Sequence, residues 1–138
     1  MKQTKSLDII LANDHQILRN GIKATILYSF PQINVLSEPK DFVQLHEQIT
    51  GSSNLELLIT DDVMPKGTIV ESLVTIREQK PKLKIIITTM HADIDYIKGL
   101  VPYCDGIVSY INIPNVIGEA ITTVLNDGIY YTFPGIKN

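Results

Sequence analysis

The chain has 138 residues, of which 44% are hydrophobic and 20% are charged, and its formal net charge is −3. These values describe one ordinary globular domain with room for a proper core, and an acidic chain is a poor candidate for direct nucleic-acid binding. A single cysteine excludes an internal disulfide framework, and no stretch approaches the ~20 apolar residues that cross a bilayer.

Short apolar runs alternate along the chain with longer stretches of helical periodicity. The strand-like runs are 7–11, 33–36, 55–60, 83–88 and 106–109, and the helix candidates are 15–28, 41–50, 68–79, 92–100 and 114–126. The fourth run has no polar alternation, which is typical of a strand covered on both faces. Five strands and five helices in strict alternation predict an α/β doubly wound sandwich with a parallel five-stranded sheet.

The first run is followed by two polar residues and then by the first helix candidate. Asp14 can cap this helix, and an apolar stripe is expected to face the core. The stripe consists of Ile17, Leu18, Ile22, Ile26 and Leu27. The run itself is too short for the apolar segment of a signal peptide and is interrupted by Asp8, so we expect a cytoplasmic protein without membrane association.

Glycine and proline mark the ends of the later helices. Gly51 and Gly128 follow helix candidates, and Pro114 stands near the start of the last one. The tail 129–138 is rich in aromatic residues, so its first half is expected to pack against the domain. We therefore expect a single domain over 1–138, with a core of about 7–128 and a C-terminal tail over 129–138.

Polar side chains follow four of the predicted strands. They are Asn13-Asp14, Asp61, Thr88-Thr89 and Ser109-Tyr110. In the strand order 2-1-3-4-5, the first and third strands are neighbours, so Asp14 and Asp61 would face each other across the crevice where such sheets bind ligands. Two carboxylates there suit Mg²⁺ and a phosphate, and a carboxylate can itself accept a phosphoryl group.

Each of these residues also has an ordinary structural interpretation. Asp14 alone is a good helix cap, and Asp61 alone suits a turn before Met-Pro. Strand alternation would turn Asp62 away from the crevice, and it is expected to be a solvated loop acid. Thr88 is expected to be buried in its strand, whereas Thr89 is expected to reach the site.

Four short motifs lie in order at the predicted strand ends: Asn13-Asp14-His15, the Asp-x-x-Met-Pro sequence 61–65, Thr89-Met90-His91 and Cys104-Asp105-Gly106. They resemble the acidic pair with its following His, the phosphoacceptor turn, the Ser/Thr-Met-His turn and the Ala-Asp-Gly of response-regulator receiver domains, in the form common in the NarL/FixJ (LuxR-type) subfamily. The resemblance covers residues 7–134. It implies a flavodoxin-like (βα)5 fold and a signalling module rather than an enzyme. It also implies that the tail 129–138 can begin a linker to an effector domain.

The resemblance also implies a role for each matching residue. Asp61 would accept a phosphoryl group from the phosphohistidine of a sensor histidine kinase. Asp14 and Asp61 would bind Mg²⁺ together with the main-chain carbonyl of Val63. Thr89 would be the switch hydroxyl that follows the phosphoryl group.

Three positions depart from the family pattern. Asn13 replaces the first acid, which should weaken cation binding, although its amide can still hold a water ligand. Tyr110 stands where the family has a lysine that pairs with the phosphoryl group, and a phenol cannot neutralise charge. Ile107 replaces the aromatic switch residue of the fifth strand. These changes predict that phosphorylation is poorly coupled to the usual output.

Three hypotheses follow. The first is a phosphorylated receiver that regulates transcription, that reaches DNA only through a C-terminal helix-turn-helix domain beyond this chain, and that can form a homodimer. The alternative is a degenerate, phosphorylation-independent receiver that acts as a docking or dimerisation module. The third is a Mg²⁺-dependent phosphatase of the haloacid-dehalogenase type, but that family needs an acid where Val63 stands.

Overall fold

The computed structural model describes residues 6–131, which form one parallel sheet with helices on both faces. The strands are β1 (Leu7–Ala12), β2 (Ile33–Ser37), β3 (Leu57–Asp61), β4 (Lys84–Thr89), β5 (Gly106–Ser109) and β6 (Tyr130–Tyr131). The helices are α1 (Gln16–Ser29), α2 (Phe42–Thr50), α3 (Ile69–Gln79), α4 (Ile94–Leu100) and α5 (Ile113–Leu125). The strand order is β2-β1-β3-β4-β5-β6. The predicted doubly wound α/β fold is confirmed, with one strand added at the edge.

The central strands are buried on both faces, as their uninterrupted apolar sequences predict. In β4, Ile85 and Ile87 pack into the layer beneath α2, α3 and α4, whereas Ile86 points to the layer beneath α1 and α5. All three side chains are fully buried. Two apolar layers therefore hold the sheet between the helices, which leaves the carboxyl ends of the strands free to build a site. No helix within residues 6–131 has the length and apolar character needed to cross a bilayer.

The start of the tail joins the sheet as β6, a strand that the sequence patterns did not predict. Tyr130 and Tyr131 pair in parallel with β5. The hydroxyl of Tyr131 donates to the carbonyl of Cys104 at 3.3 Å. The expected packing of the tail is thus confirmed for these two residues, and residues 132–138 lie outside the described part of the chain.

The buried face of α1 differs from the predicted apolar stripe. The side chain of Ile17 is 86% exposed and Leu27 is also exposed, whereas Arg19, Ile22 and Ile26 are buried. A residue in a helix is rotated by roughly 100° from the one before it, so Ile17 lies nearly opposite the face that carries Arg19. Placing Ile17 and Leu27 in the stripe was therefore wrong.

Arg19 is buried because it ties the β1–α1 loop to the end of β2. Its guanidinium donates to the carbonyl oxygen of Asn13 at 2.6 Å and to Glu38 Oε1 at 3.0 Å. Lys23 donates to the other oxygen of Glu38 at 2.8 Å. A buried cation needs such partners, and here the pairing fixes the loop that leads into the crevice.

The prediction that Asp14 caps α1 is also wrong. The residue at the cap is His15, and no side chain bonds to the helix there. Instead, Asn13 closes the turn, because its Oδ1 accepts a hydrogen bond of 2.7 Å from the backbone N–H of His15. The carboxylate of Asp14 is therefore not used by the helix. By contrast, Gly51 caps the end of α2 and Pro114 lies in the first turn of α5, as predicted.

Candidate functional site

The crevice at the carboxyl ends of β1 and β3 brings the two predicted acids together. The pairing of Ala12 with Thr60 places the residues that follow each strand side by side. A cleft of about 500 Å³ opens there. It is lined by Asp14, His15, Asp61, Asp62, Val63, Met64, Pro65, Met90 and His91. Asp14, Asp61 and Val63 thus share one cleft, which is the arrangement that the sequence predicted for them.

Asp61 ends β3 and is almost fully buried, with 5% of its surface exposed. Burial raises the pKa of its carboxyl above the ordinary value of 3.8. The hydrogen bond from Tyr110 opposes this increase, and the charge of Asp62 adds to it. A cation bound beside Asp61 would relieve both the desolvation and the repulsion, because each of these acts against the ionised form.

One oxygen of the Asp14 carboxylate has no hydrogen bond. Its Oδ1 is buried and accepts no hydrogen bond, and the closest approach of the His15 imidazole to it is 3.6 Å. A buried carboxylate oxygen without a partner is costly and therefore points to a ligand that the protein atoms do not supply. Because Asp14 lines the same cleft as Asp61, its carboxylate fits a hard divalent cation.

The donor set suits Mg²⁺ because all of its members are oxygen atoms. Mg²⁺ keeps several waters and needs only one or two carboxylates with a few further oxygens. Asp14, Asp61 and the carbonyl of Val63 meet that requirement in chemical type.

Tyr110 connects the two sides of the crevice. It lies in a short 3₁₀ helix (Tyr110–Asn112) that follows β5. Its hydroxyl accepts hydrogen bonds from Asn13 Nδ2 at 2.5 Å and from Thr88 Oγ1 at 3.3 Å, and it also bonds to Asp61. Burial and the nearby charge of Asp61 raise the pKa of Tyr110, so the phenol stays protonated. Because two donors already point at its oxygen, its single proton goes to the Asp61 carboxylate.

Asp62 is buried, with only 4% of its surface exposed, so the expectation of a solvated loop acid is wrong. Its backbone N–H continues the sheet by bonding to the carbonyl of Thr88 at 3.2 Å. The residue nevertheless lines the same cleft as Asp61 and interacts with the Asp61 carboxyl, and Tyr96 of α4 lies against its carboxylate. Its Oδ2 accepts from Thr89 Oγ1 and from the Tyr96 hydroxyl, both at 2.7 Å, and lies 3.1 Å from His91 Nδ1.

The two threonines at the end of β4 face different partners. Thr88 is buried, as predicted, and turns toward Tyr110. Thr89 is also buried, but it donates to Asp62 and accepts a 3.0 Å hydrogen bond from the backbone N–H of His91. In this state the hydroxyl expected to follow a phosphoryl group is therefore held by Asp62. No sequence pattern predicted this hydrogen bond or the one from the Tyr96 hydroxyl to Asp62.

The raised pKa of Asp61 predicts how its removal affects stability. A carboxyl whose pKa is raised by folding favours the folded state at low pH, and that contribution is lost as the pH rises through the folded pKa. Without Mg²⁺, Asp61→Asn should therefore increase the free energy of unfolding at pH 8 by at least about 1 kcal/mol, since one pKa unit is worth about 1.4 kcal/mol. The gain should shrink toward pH 4.

Urea unfolding in the presence of a chelator at the two pH values checks this expectation. Glu78→Gln, which neutralises an exposed acid on α3, is the matched control and should have little effect at either pH. An equal stability change for both variants, or a gain for Asp61→Asn that is largest at pH 4, would contradict the expectation.

Comparisons with known proteins agree with the geometry. The family model for the response regulator receiver domain matches residues 9–115. The transcriptional regulatory protein DegU of Brevibacillus brevis is 28% identical over 91 residues, which are 66% of this chain and 38% of that protein. The transcriptional regulatory protein MctR of Rhizobium johnstonii is 25% identical over 136 residues, which are 96% of this chain and 61% of MctR. The chain thus spans less than two thirds of either relative.

The structural comparison gives the same fold. The crystal structure of the non-phosphorylated receiver domain of the stress response regulator RcsB from Escherichia coli superposes with a TM-score of 0.83 at 24% identity. The superposition covers 93% of this chain and 99% of that one. The agreement extends over almost the whole length of both chains, so no large insertion separates the two folds.

Proposed function

Because the chain belongs to the response regulator receiver domain family, we propose that it accepts a phosphoryl group on Asp61 with Mg²⁺ and thereby regulates a transcriptional output. The observation that carries this proposal is that the buried Asp14 Oδ1 accepts no hydrogen bond, while Asp14 and Asp61 line the same cleft. A purely structural crevice would have no reason to keep a buried carboxylate oxygen without a hydrogen bond.

Three groups of this chain are proposed to hold the cation. They are the carboxylates of Asp14 and Asp61 and the main-chain carbonyl of Val63, and Asn13 contributes through a water. Asn13 Oδ1 already accepts one hydrogen bond, which leaves a second lone pair for that water. When bound, Mg²⁺ would neutralise charge on the carboxylate and phosphoryl oxygens.

The proposed reaction transfers the phosphoryl group from a phosphohistidine to Asp61. A carboxylate oxygen of Asp61 attacks phosphorus, the P–N bond breaks, and its electron pair leaves with the imidazole, which takes up a proton. The Tyr110 hydroxyl hydrogen-bonds the attacking carboxylate and keeps it oriented. Thr89 would donate to a phosphoryl oxygen only after leaving Asp62.

The partners are proposed from the family and from the relatives. A sensor histidine kinase supplies the phosphoryl group. DegU and MctR are transcriptional regulators, and RcsB has been solved as dimers bound to DNA. By analogy, this domain would act on DNA through a further domain and through dimerisation, since its own net charge of −3 does not favour contact with phosphates.

A beryllofluoride titration with Mg²⁺, followed by amide NMR, tests the proposal. We expect saturable shifts around Asp61, Asp14 and Thr89 that require both ions, and no such shifts in Asp61→Asn. Glu78→Gln should respond as the wild type does. If the wild type shows no Mg²⁺-dependent response, the phosphoacceptor function is refuted, and the neutral Asn13–Tyr110 pair would instead favour a phosphorylation-independent docking module.

A further inference from the structure

One carboxylate oxygen joins three segments beside the proposed phosphorylation site. Asp62 Oδ2 receives the hydroxyl of Thr89 from the end of β4, the hydroxyl of Tyr96 from α4, and the imidazole of His91 from the segment between them. The two hydroxyl bonds are 2.7 Å long, which is the length of charge-assisted hydrogen bonds. The rings of His91 and Tyr96 also pack together, with centroids 4.4 Å apart.

Asp62 therefore forms a direct polar link between the site and α4. Asp61 and Asp62 both line the cleft, and Asp62 also contacts α4 through the Tyr96 hydroxyl. Side-chain hydrogen bonds to Asp62 thus connect the site with α4.

We propose that Asp62 is a positioning residue that couples the Asp61 site to α4 by holding the Thr89 and Tyr96 hydroxyls on one carboxylate oxygen. This inference rests on the proposed function, because it assigns the event that releases Thr89 to the phosphoryl group on Asp61. It adds to that function the coupling residue Asp62, its contacts with Thr89 and Tyr96, and the surface of α4 that responds.

The coupling follows from the number of protons available. The Thr89 hydroxyl has one proton and gives it to Asp62, so it cannot donate to a phosphoryl oxygen at the same time. When it leaves, the buried Asp62 carboxylate keeps only Tyr96 and His91 as side-chain partners. A buried carboxylate that loses a donor reorients toward those that remain, and Tyr96 carries this change into the first turn of α4.

The start of α4 is suited to respond. The helix is anchored in the core by Ile97 and Leu100, whereas Asp93, Asp95 and Lys98 are exposed. A shift of Tyr96 would move these charges at the surface without disturbing the sheet. The exposed first turn of α4 is therefore the surface that changes with the state of Asp61.

Tyr96→Phe tests the coupling because it removes one hydroxyl and retains the ring. With Mg²⁺ and beryllofluoride, we expect the affinity to stay within twofold of the wild type and the shifts near Asp61 to persist. The amide shifts of residues 94–98 should fall to less than half of the wild-type values. The control is Tyr28→Phe on α1, because this tyrosine is 90% exposed and is not among the residues that line the cleft.

The outcomes separate this inference from the proposed function. A wild type that does not respond to beryllofluoride refutes both. A wild type that responds, with undiminished shifts at 94–98 in Tyr96→Phe, refutes the coupling alone. Asp62→Asn gives an independent readout: without ligand, its amides at 94–98 should move toward the positions that the wild type reaches with beryllofluoride, and unmoved amides would overturn the proposal.

Discussion

Replacing Tyr110 with lysine is expected to tighten the binding of beryllofluoride, in the presence of Mg²⁺, by roughly 5- to 30-fold. To offer the bound anion a hydrogen bond, the Tyr110 hydroxyl must turn its single proton away from Asp61. That hydrogen bond is neutral, whereas an ammonium group offers a charged one. Hydrogen bonds to charged groups contribute about 1.5–3 kcal/mol and neutral ones about 0.5–1.5 kcal/mol. The difference of roughly 1–2 kcal/mol corresponds to the stated range, since a factor of ten is 1.4 kcal/mol.

The measurement is a beryllofluoride titration of wild type and Tyr110→Lys at one fixed Mg²⁺ concentration. Tyr28→Lys adds the same charge at an exposed position of α1 and is expected to bind as the wild type does. Equal affinities for Tyr110→Lys and Tyr28→Lys would mean that position 110 does not face the bound anion. The proposed placement of the phosphoryl group would then be wrong.

Most of the fold could be predicted because its signals are local. The apolar runs of the five long strands and the periodicity of the helices depend on which residues are buried, and their observed bounds lie within about two residues of those predicted. The exceptions depended on tertiary contacts. β6 has two residues and exists only because β5 offers an unpaired edge, and Arg19 is buried only because Glu38 and the Asn13 carbonyl receive it.

The candidate site likewise has features that local sequence signals predict and features that depend on tertiary contacts. The strand order and the position of each polar residue at a strand end were enough to place Asp14 and Asp61 in one cleft. The sequence could not reveal that α4 folds over Asp62, because that requires knowing where Tyr96 packs. It also could not show that Asn13 and Tyr110, which are 97 residues apart, share a hydrogen bond.

The hydrogen bond between Asn13 and Tyr110 changes how the departures from the family pattern at these two positions are interpreted. At the four matching positions, the family pattern implies three carboxylates and one lysine, whereas this chain has two carboxylates and neither the third acid nor the lysine. The summed charge of these four positions is therefore the same in both arrangements. The loss of an acid at Asn13 weakens cation binding less than it would beside a retained lysine. Asn13 and Tyr110 form a neutral hydrogen-bonded pair.

Asn13→Asp is expected to raise the affinity for Mg²⁺ by about tenfold, because it adds one negative charge to the cleft without a compensating cation. In the presence of a chelator the same variant should be less stable than the wild type by about 1–2 kcal/mol. Its new carboxylate would lie beside Asp14 and Asp61, and the donor that now reaches the Tyr110 oxygen would be gone. Asn20→Asp adds the same charge at an exposed position of α1 and should change neither quantity appreciably.

Combining Asn13→Asp with Tyr110→Lys should recover the lost stability, because an acid and a base would then face each other where Asn13 and Tyr110 now bond. Contacting residues typically couple by about 0.5–3 kcal/mol, so we expect the double variant to be at least about 1 kcal/mol more stable than the sum of the single changes implies. Urea unfolding of the four proteins with a chelator measures this coupling, and a Mg²⁺ titration of the same set measures the affinity. Additive stabilities would show that positions 13 and 110 do not act as a pair. A Mg²⁺ affinity of Asn13→Asp equal to that of Asn20→Asp would place the cation away from this end of β1, since a charge added beside a bound cation must strengthen its binding.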